Sequence, residues 1–463
     1  MGEIVLLSRI QFALNIAFHY LFPPLTIGLS LLLVIMEAAY LVTKNKIYET
    51  MTKFWVQIFA VIFAVGVATG LVQIFAFGTN WSRFSHFVGD VFGSILGAEG
   101  IFAFFLESGF VALLLFGWNK VGPKTHFFST LMVMLGSHFS GLWIVIANSW
   151  MQTPAGHTFE GEGVMRHAII DSWWAVVNNP SSWIRYIHVI LGCWLAGAFL
   201  VLSVSAFYLW KKRHTEIAKR GFLIALLLGS FSVLVQGLSG DSTGRAVARL
   251  QPLKLAAMEG IYKTTTPTPL FLVGNSNPNE QETKGLYIPG LLSFLVYRNF
   301  DQPVPGLDQF PRELWPPVNT VFHTYHGMLV MWGLMFLGCI FGWIAVVRWR
   351  KQKTTPWIMW YTMIAVLYPE IANQLGWYTA EIGRQPWVVY GLLRTTDAIS
   401  PGLSVGQVVS SLILFIIIYT MIFIMFIYLL DRKIRHGPPN EAVGYDEYRD
   451  PYKSKVSSHY LPE

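Results

Sequence analysis

LILFIIIYTMIFIMFIYLL, residues 412–430, carries no charged side chain and is apolar on every face. Wound as an α-helix at 1.5 Å per residue, a run of this length is about 28 Å long, close to the ~30 Å hydrocarbon layer of a bilayer. A strand of a transmembrane β-barrel would instead alternate apolar and polar positions over about 10 residues. Comparable segments read near 14–42, 54–78, 94–118, 127–150, 184–210, 221–239, 318–347 and 356–378, which makes nine spans with 404–430. The whole chain agrees: of 463 residues, 54% are hydrophobic and 13% charged, too apolar for a soluble domain of this size. The expectation is an all-α integral membrane protein.

The net charge of +7 does not point to nucleic acid. Its basic residues fall in short groups between apolar spans: Lys44, Lys46 and Lys53; Lys120 and Lys124; Lys211, Lys212, Arg213, Lys219 and Arg220; Arg348, Arg350, Lys351 and Lys353; and Arg432, Lys433 and Arg435. They occupy every second connection, which the positive-inside rule places in the cytoplasm. The N-terminus is then outside and the C-terminus cytoplasmic, the odd parity that nine spans require. The opening MGEIVLLSRI has Glu3 and Arg9 and no basic start followed by an apolar stretch and a small-residue cleavage site, so it reads as retained rather than as a signal peptide. Cys193 and Cys339 lie within spans, and a CxxC or CxxCH pattern is absent, so a haem would be held without thioethers.

The chain divides into residues 1–239 (spans one to six), an outer loop at 240–317, residues 318–430 (spans seven to nine) and a cytoplasmic tail at 431–463. The other long outer connection covers 151–183. Within the 240–317 loop, GNSNPNEQETKG (274–285) and DQPVPGLDQFPRELWPP (301–317) read as polar, turn-rich loop, and ARLQPLKLAAMEGIYK (248–263) as more helical.

Titratable side chains at membrane depth are costly and mark function. His19 ends the first span on the outer side, Glu99 lies near the outer end of the third, His188 near that of the fifth, Met328 about ten residues into the seventh, and Glu381 follows the eighth. Imidazole, thioether and carboxylate are all axial ligands to haem iron, and a His/Met pair suits a haem that only transfers electrons. The bland alternative is an interfacial histidine at His188 and core packing at Met328, so neither residue alone establishes a haem. Glu99 and Glu107, eight residues apart, sit about 80° apart around an ideal helix and roughly 12 Å apart along it, as a proton relay or as two packing carboxylates. Ser108 and Ser140 are placed to hold water beside them. His138 and Glu370 read as structural. In GWYTAEIGRQPW (376–387), Arg384 follows Glu381 by three residues, which suits neutralising a haem propionate or a ligating carboxylate; Trp377 and Trp387 alone would read as an interfacial belt.

From SRIQFALNIAFHYLFPPLT at the start to GWYTAEIGRQPW, about residues 1 to 430, the sequence resembles subunit I of the cytochrome bd quinol oxidases. The resemblance implies three haems near the outer face: a low-spin haem b on His188 and Met328, a high-spin haem b, and a haem d or a further haem b in its place. His19, Glu99 and Glu381 remain as ligands of the high-spin pair, and Arg9, Trp377 and Arg384 as haem contacts. It implies a quinol-oxidising loop of the short type at GDSTGRAVARLQPLKLAAMEG, with Gln251, Lys254 and Glu259 toward quinol, and a proton path through Glu99, Glu107, Ser108 and Ser140. His326 stands two residues before Met328 where the family often has arginine, which puts one propionate contact in question. The implied partners are ubiquinol or menaquinol, dioxygen, a subunit II of homologous fold, a small single-helix subunit and the bilayer of a bacterial inner membrane. Protons would be released outside and drawn from the cytoplasm, without pumping.

A copper-containing haem oxidase would need more helix-borne histidines than the spans carry. A dihaem electron conduit would use His188 and Met328 but leaves Glu99 and Glu107 unexplained. A transporter is distinguished by colour, since it would purify without stoichiometric haem.

Overall fold

The structure, a computed structural model, describes residues 2–350 and 355–439. Lys351, Lys353 and the tail after residue 439 lie outside the described residues. Among those described, the chain begins with helices α1 (Gly2–His19), α2 (Pro23–Thr43), α3 (Lys46–Thr79) and α4 (Ser82–Glu99), a π turn (Gly100–Phe104), α5 (Phe105–Phe116) and α6 (Pro123–Gln152). The hairpin β1 (His157–Glu160) and β2 (His167–Ile170) and the short α7 (Trp173–Val177) lead to α8 (Ser182–Lys211), α9 (Thr215–Leu250) and α10 (Pro252–Glu259). A second hairpin, β3 (Leu270–Asn277) with β4 (Glu282–Ile288), and α11 (Leu291–Tyr297) precede α12 (Val318–Arg350), α13 (Pro356–Ile364) and α14 (Leu367–Ile382). The hairpin β5 (Trp387–Val389) and β6 (Leu393–Arg394) and the helix α15 (Val405–His436) complete it.

Eight helical stretches among the described residues are long and apolar enough to cross a membrane, against the nine expected. The one that falls short is the eighth, 356–378, where the helix breaks between α13 and α14. Pro369 explains the break, because it has no N–H for the Ala365 carbonyl and its ring would clash there in a continuous helix. Pro23 and Pro24 act in the same way on the first span, splitting α1 from α2 directly after His19. The sixth span also runs on to Leu250, past the expected boundary at 239.

The bundle is helical, but three two-stranded sheets decorate its connections. The run 274–285, read from sequence as polar loop, is mostly hairpin: Leu270 pairs with Ile288 and Phe271 with Tyr287, closing the polar turn between them. The flanking apolar and aromatic residues give the pairing its cross-strand contacts.

Helix α8 sits at the centre, against α2, α6, α9, α13 and α14. Its crossing with α2 needs glycine on both sides. A Cβ at Gly28 would fall 2.1 Å from the Cys193 carbonyl oxygen, and one at Gly197 2.3 Å from the Gly28 carbonyl carbon. Small residues of this kind let transmembrane backbones pack closely. Large apolar side chains on α15, such as Ile413, Met421 and Ile424, are exposed. They suit lipid or a neighbouring subunit.

Candidate functional site

The candidate ligands sit on five helices, α1, α4, α8, α12 and α14. His19 is the last residue of α1, and its ring lies against α3: Nδ1 is 3.0 Å from Thr69 Oγ1, and a Cβ at Gly70 would meet the ring at 3.1 Å. The Thr69 hydroxyl donates to the Val65 carbonyl, so His19 Nδ1 carries the hydrogen of this contact. That leaves the Nε2 lone pair for a metal, with Thr69 orienting the ring.

His188 on α8 faces α9, 3.2 Å from Ser239 Oγ through Nδ1 and 3.2 Å from Gln236 Nε2 through Nε2. Met328 on α12 faces α14, where a Cβ on Gly376 would stand 2.9 Å from its sulfur. His326, two residues before Met328, is buried. Its Nδ1 lies 2.9 Å from the Phe322 carbonyl and its Nε2 2.9 Å from the Phe271 carbonyl on β3, so both ring nitrogens are already engaged by backbone.

Glu381, on the last turn of α14, is the centre of a buried charge cluster. It pairs with Arg384 and accepts from Asn148 Nδ2 at 2.9 Å and Gln152 Nε2 at 3.3 Å. Arg185 donates to Asn148, and Lys254 Nζ reaches Gln152 Oε1 at 2.5 Å. Gln251 Nε2 donates to the Gln152 carbonyl at 2.8 Å. Gln152 thus ties α10 to the end of α14. Burial pushes the Lys254 ammonium well below its ordinary value, with Arg185 and Arg384 adding repulsion and Glu381 opposing them.

Glu259, at the other end of α10, is buried at 2% exposure and faces away from that cluster, toward Tyr325. Burial pushes its carboxyl up to about 7, against the Tyr325 hydroxyl, which pulls it down; its Oε2 has no hydrogen-bond partner. Lys254 and Glu259 therefore meet different partners, Gln152 and Tyr325, as their spacing on a helix leads one to expect.

Glu99 and Glu107 lie on the third span and face α6. Ser140 Oγ donates to Glu99 at 2.7 Å, and Ser137 donates to Glu107, which is buried. The π turn between the two carboxylates adds a residue to one turn, so they come nearer to one line than the 80° of a regular helix. Gly136 gives Glu107 its place, since a Cβ there would come within 2.8 Å of the Glu107 Cβ. Ser108 is turned away and donates to its own helix at the Phe104 carbonyl, 2.7 Å. Arg9 is half-buried on α1, and Trp377 is half-buried against Tyr378, ring centroids 5.0 Å apart.

The donor types suit haem iron: two imidazoles, a thioether and carboxylates, carried by different helices. The charge cluster suits haem as well. Two buried cations, Lys254 and Arg384, and the half-buried Arg185 lie around the single carboxylate Glu381, and Arg384 Nη1 has no acceptor among the described residues. An excess of buried positive charge with an unused donor is a place for further anionic oxygens, which propionates carry.

The model of the cytochrome bd terminal oxidase subunit I family matches residues 7–438. This chain belongs to that family. It is 36% identical to the cytochrome bd ubiquinol oxidase subunit 1 of Bacillus subtilis (strain 168), over 95% of each chain. It is 35% identical to the cytochrome bd-II ubiquinol oxidase subunit 1 of Escherichia coli (strain K12), over 95% of this chain and 98% of that one. The bd oxidase structure from Geobacillus thermodenitrificans superposes with a TM-score of 0.87 at 27% identity, covering 94% of this chain and 99% of that chain. The protein is thus a quinol oxidase subunit and a multi-pass protein of a bacterial inner membrane.

Sequence reasoning missed Ser137, Asn148, Gln152, Arg185 and Tyr325. Two of them left a trace: Arg185 stands three residues before His188, and Asn148 four before Gln152, each on one helix face.

Proposed function

We propose that this subunit oxidises a membrane quinol beside α10 at the outer end and supports reduction of dioxygen to water with protons drawn from the basic, cytoplasmic end. The single observation that carries the reading is the buried cluster in which Lys254 and Gln251 of α10 meet Glu381 and Arg384 through Gln152. It couples the quinol loop to the helix end that holds a candidate iron ligand.

In this reading His188 and Met328 hold a low-spin haem b, while His19, Glu99 and Glu381 serve a high-spin haem b and a haem d or further haem b. Bound haems supply the electron transfer from quinol and the site of oxygen chemistry. Arg9, Trp377 and Arg384 contact them, with Arg185 joining Arg384 as a propionate partner. The chain's own residues manage protons. Glu259, with an unpartnered oxygen and a pKa near neutrality, accepts the proton of a quinol hydroxyl as general base. Lys254 and Gln251 position α10 from the other side. Glu107 passes protons outward to Glu99 through Ser137 and Ser140, and charge separates across the membrane without a pump. Subunit II and a small single-helix subunit complete the assembly, with α15 offering an exposed apolar face to one of them or to lipid.

The test is the absorption spectrum of the purified, dithionite-reduced complex together with its quinol-dependent oxygen consumption. Stoichiometric b-type haem and quinol-driven consumption are expected. A colourless protein, or a coloured one inert to quinol, would sink the reading.

A further inference from the structure

On α6 the residues His126, Thr130, Ser137 and Ser140 form one stripe, and each meets a carboxylate from another helix. Ser140 meets Glu99 of α4, Ser137 meets Glu107 of α5, and His126 and Thr130 together meet Glu37 of α2. Glu37 and His126 are 1% and 2% exposed and belong to none of the sites described above. They sit toward the basic end, where α2 closes at Lys44 and α6 opens at Pro123.

The hydrogen bonds count the protons at this pair. His126 Nε2 lies 3.2 Å from the Leu114 carbonyl, which only accepts, so Nε2 carries a hydrogen. His126 Nδ1 lies 2.6 Å from Glu37 Oε1, and that contact needs one further proton, held either by the imidazole or by the carboxyl. The second carboxylate oxygen is 2.5 Å from the Thr130 hydroxyl. One proton is therefore shared between two buried side chains. The partners of the Glu37 carboxylate are His126 and Thr130, and Lys53 lies 5.0 Å above the Trp118 ring, which itself lies 3.8 Å from the His126 ring.

Water can come close. A cleft of about 430 Å³, lined by Leu41, Lys44, Gly122, Pro123 and Lys124, opens one turn from Glu37 along α2 and one turn from His126 along α6. From His126 to Ser140 the stripe rises about 21 Å, roughly two thirds of the ~30 Å hydrocarbon layer. The one long step, Thr130 to Ser137 past Val133, is about 10 Å, a distance that bridging waters span.

We propose that the Glu37–His126 pair is the inner proton-loading site of the path that continues through Ser137 and Glu107 to Glu99. A proton enters the shared Nδ1–Oε1 position from the cleft, leaves by way of the second carboxylate oxygen and Thr130, and is replaced from the cytoplasm. The proposal rests on the reading of Glu107 as a relay, and it adds the entrance.

The test uses the complete oxidase in proteoliposomes. After oxygen meets the reduced enzyme, proton uptake is followed with an interior pH dye, and haem content and thermal stability are measured alongside. Glu37→Gln and His126→Gln keep shape and hydrogen bonding but cannot hand on the shared proton, so each should assemble with full haem and slow the uptake phase about tenfold or more. Glu107→Gln is run in parallel. Wild-type uptake in a haem-replete Glu37 or His126 variant, with Glu107→Gln slow, overturns the entrance and leaves the relay standing. Wild-type uptake in all three overturns the relay itself. Lowered thermal stability with unchanged uptake assigns the pair to tying α2 to α6, which also overturns the proposal. If one of the two entrance variants fails to assemble, the other carries the same decision.

Discussion

With Glu259 as the proposed base, quinol oxidation takes on a pH dependence set by the burial of that carboxyl. Burial raises its carboxyl from 4.5 to about 7, which corresponds to about 3 kcal/mol of ionisation free energy at 1.36 kcal/mol per pKa unit. A general base must be ionised to accept a proton, so the active fraction rises from about one tenth at pH 6 to about nine tenths at pH 8. Quinol-dependent oxygen consumption should therefore climb about tenfold across that interval. Glu259→Gln should be slow throughout and flat with pH, while oxygen reduction fed by artificial donors to the haems stays near normal. The same shift has a stability consequence of opposite sense. A folded value above the unfolded one contributes stability that is fully present below 4.5 and is lost as pH rises to about 7. Relative to wild type, Glu259→Gln should thus gain thermal stability from pH 4.5 to 7 and hold that gain above 7. Equal loss of both activities, or a wild-type pH slope in the glutamine variant, would refute the assignment of Glu259 as the base.

Three further outcomes are expected. His188→Ala should remove the low-spin b absorbance and leave the high-spin absorbance; a full low-spin spectrum in that variant would end the assignment of His188. Gly376→Val should push on the Met328 sulfur, 2.9 Å from where its Cβ would stand, and shift the low-spin spectrum without changing the high-spin bands; an unmoved spectrum would place Met328 away from that haem. Glu107→Gln should keep its haems and slow turnover about tenfold or more in the proton-coupled steps after oxygen binds, and wild-type turnover with full haem content would take Glu107 off the obligatory path.

The bundle was legible because lipid leaves few solutions: runs such as 412–430 have to be helices. The candidate ligand positions stood out because titratable residues are rare in such runs. The breaks were legible in part. Pro23, Pro24 and Pro369 stand in the sequence, but whether a proline kinks a span or splits it depends on what satisfies the freed carbonyls, and that is tertiary. The π turn after Glu99 left no mark at all, since GIFAF is as apolar as its neighbours. Ser137 was hidden for a different reason. Helical serines commonly bond their own backbone, as Ser108 does, and Ser137 does so as well at Val133; only the approach of α5 over Gly136 turns it toward Glu107. In the outer loop, α10 announced itself through its apolar spacing, but the hairpin at 270–288 is held together by pairs across a polar turn that composition alone reads as loop.

The partners given to each carboxylate separate their roles. Glu381 is surrounded by Arg384, Arg185 and Lys254, and a neighbouring cation fixes the charge of a carboxylate. Such a group suits a ligand or an anchor for a charged cofactor edge, where changing protonation would release what is bound. Glu99, Glu107 and Glu37 have serine, threonine or histidine as hydrogen-bond partners. A hydroxyl can give to an ionised carboxyl or accept from a protonated one, so these partners tolerate both states. These four acids thus fall into two classes, distinguished by what touches them. The cation-paired class lies beside α10, and the hydroxyl-bonded class runs along α6 toward the basic end, the direction from which the proposed path draws its protons.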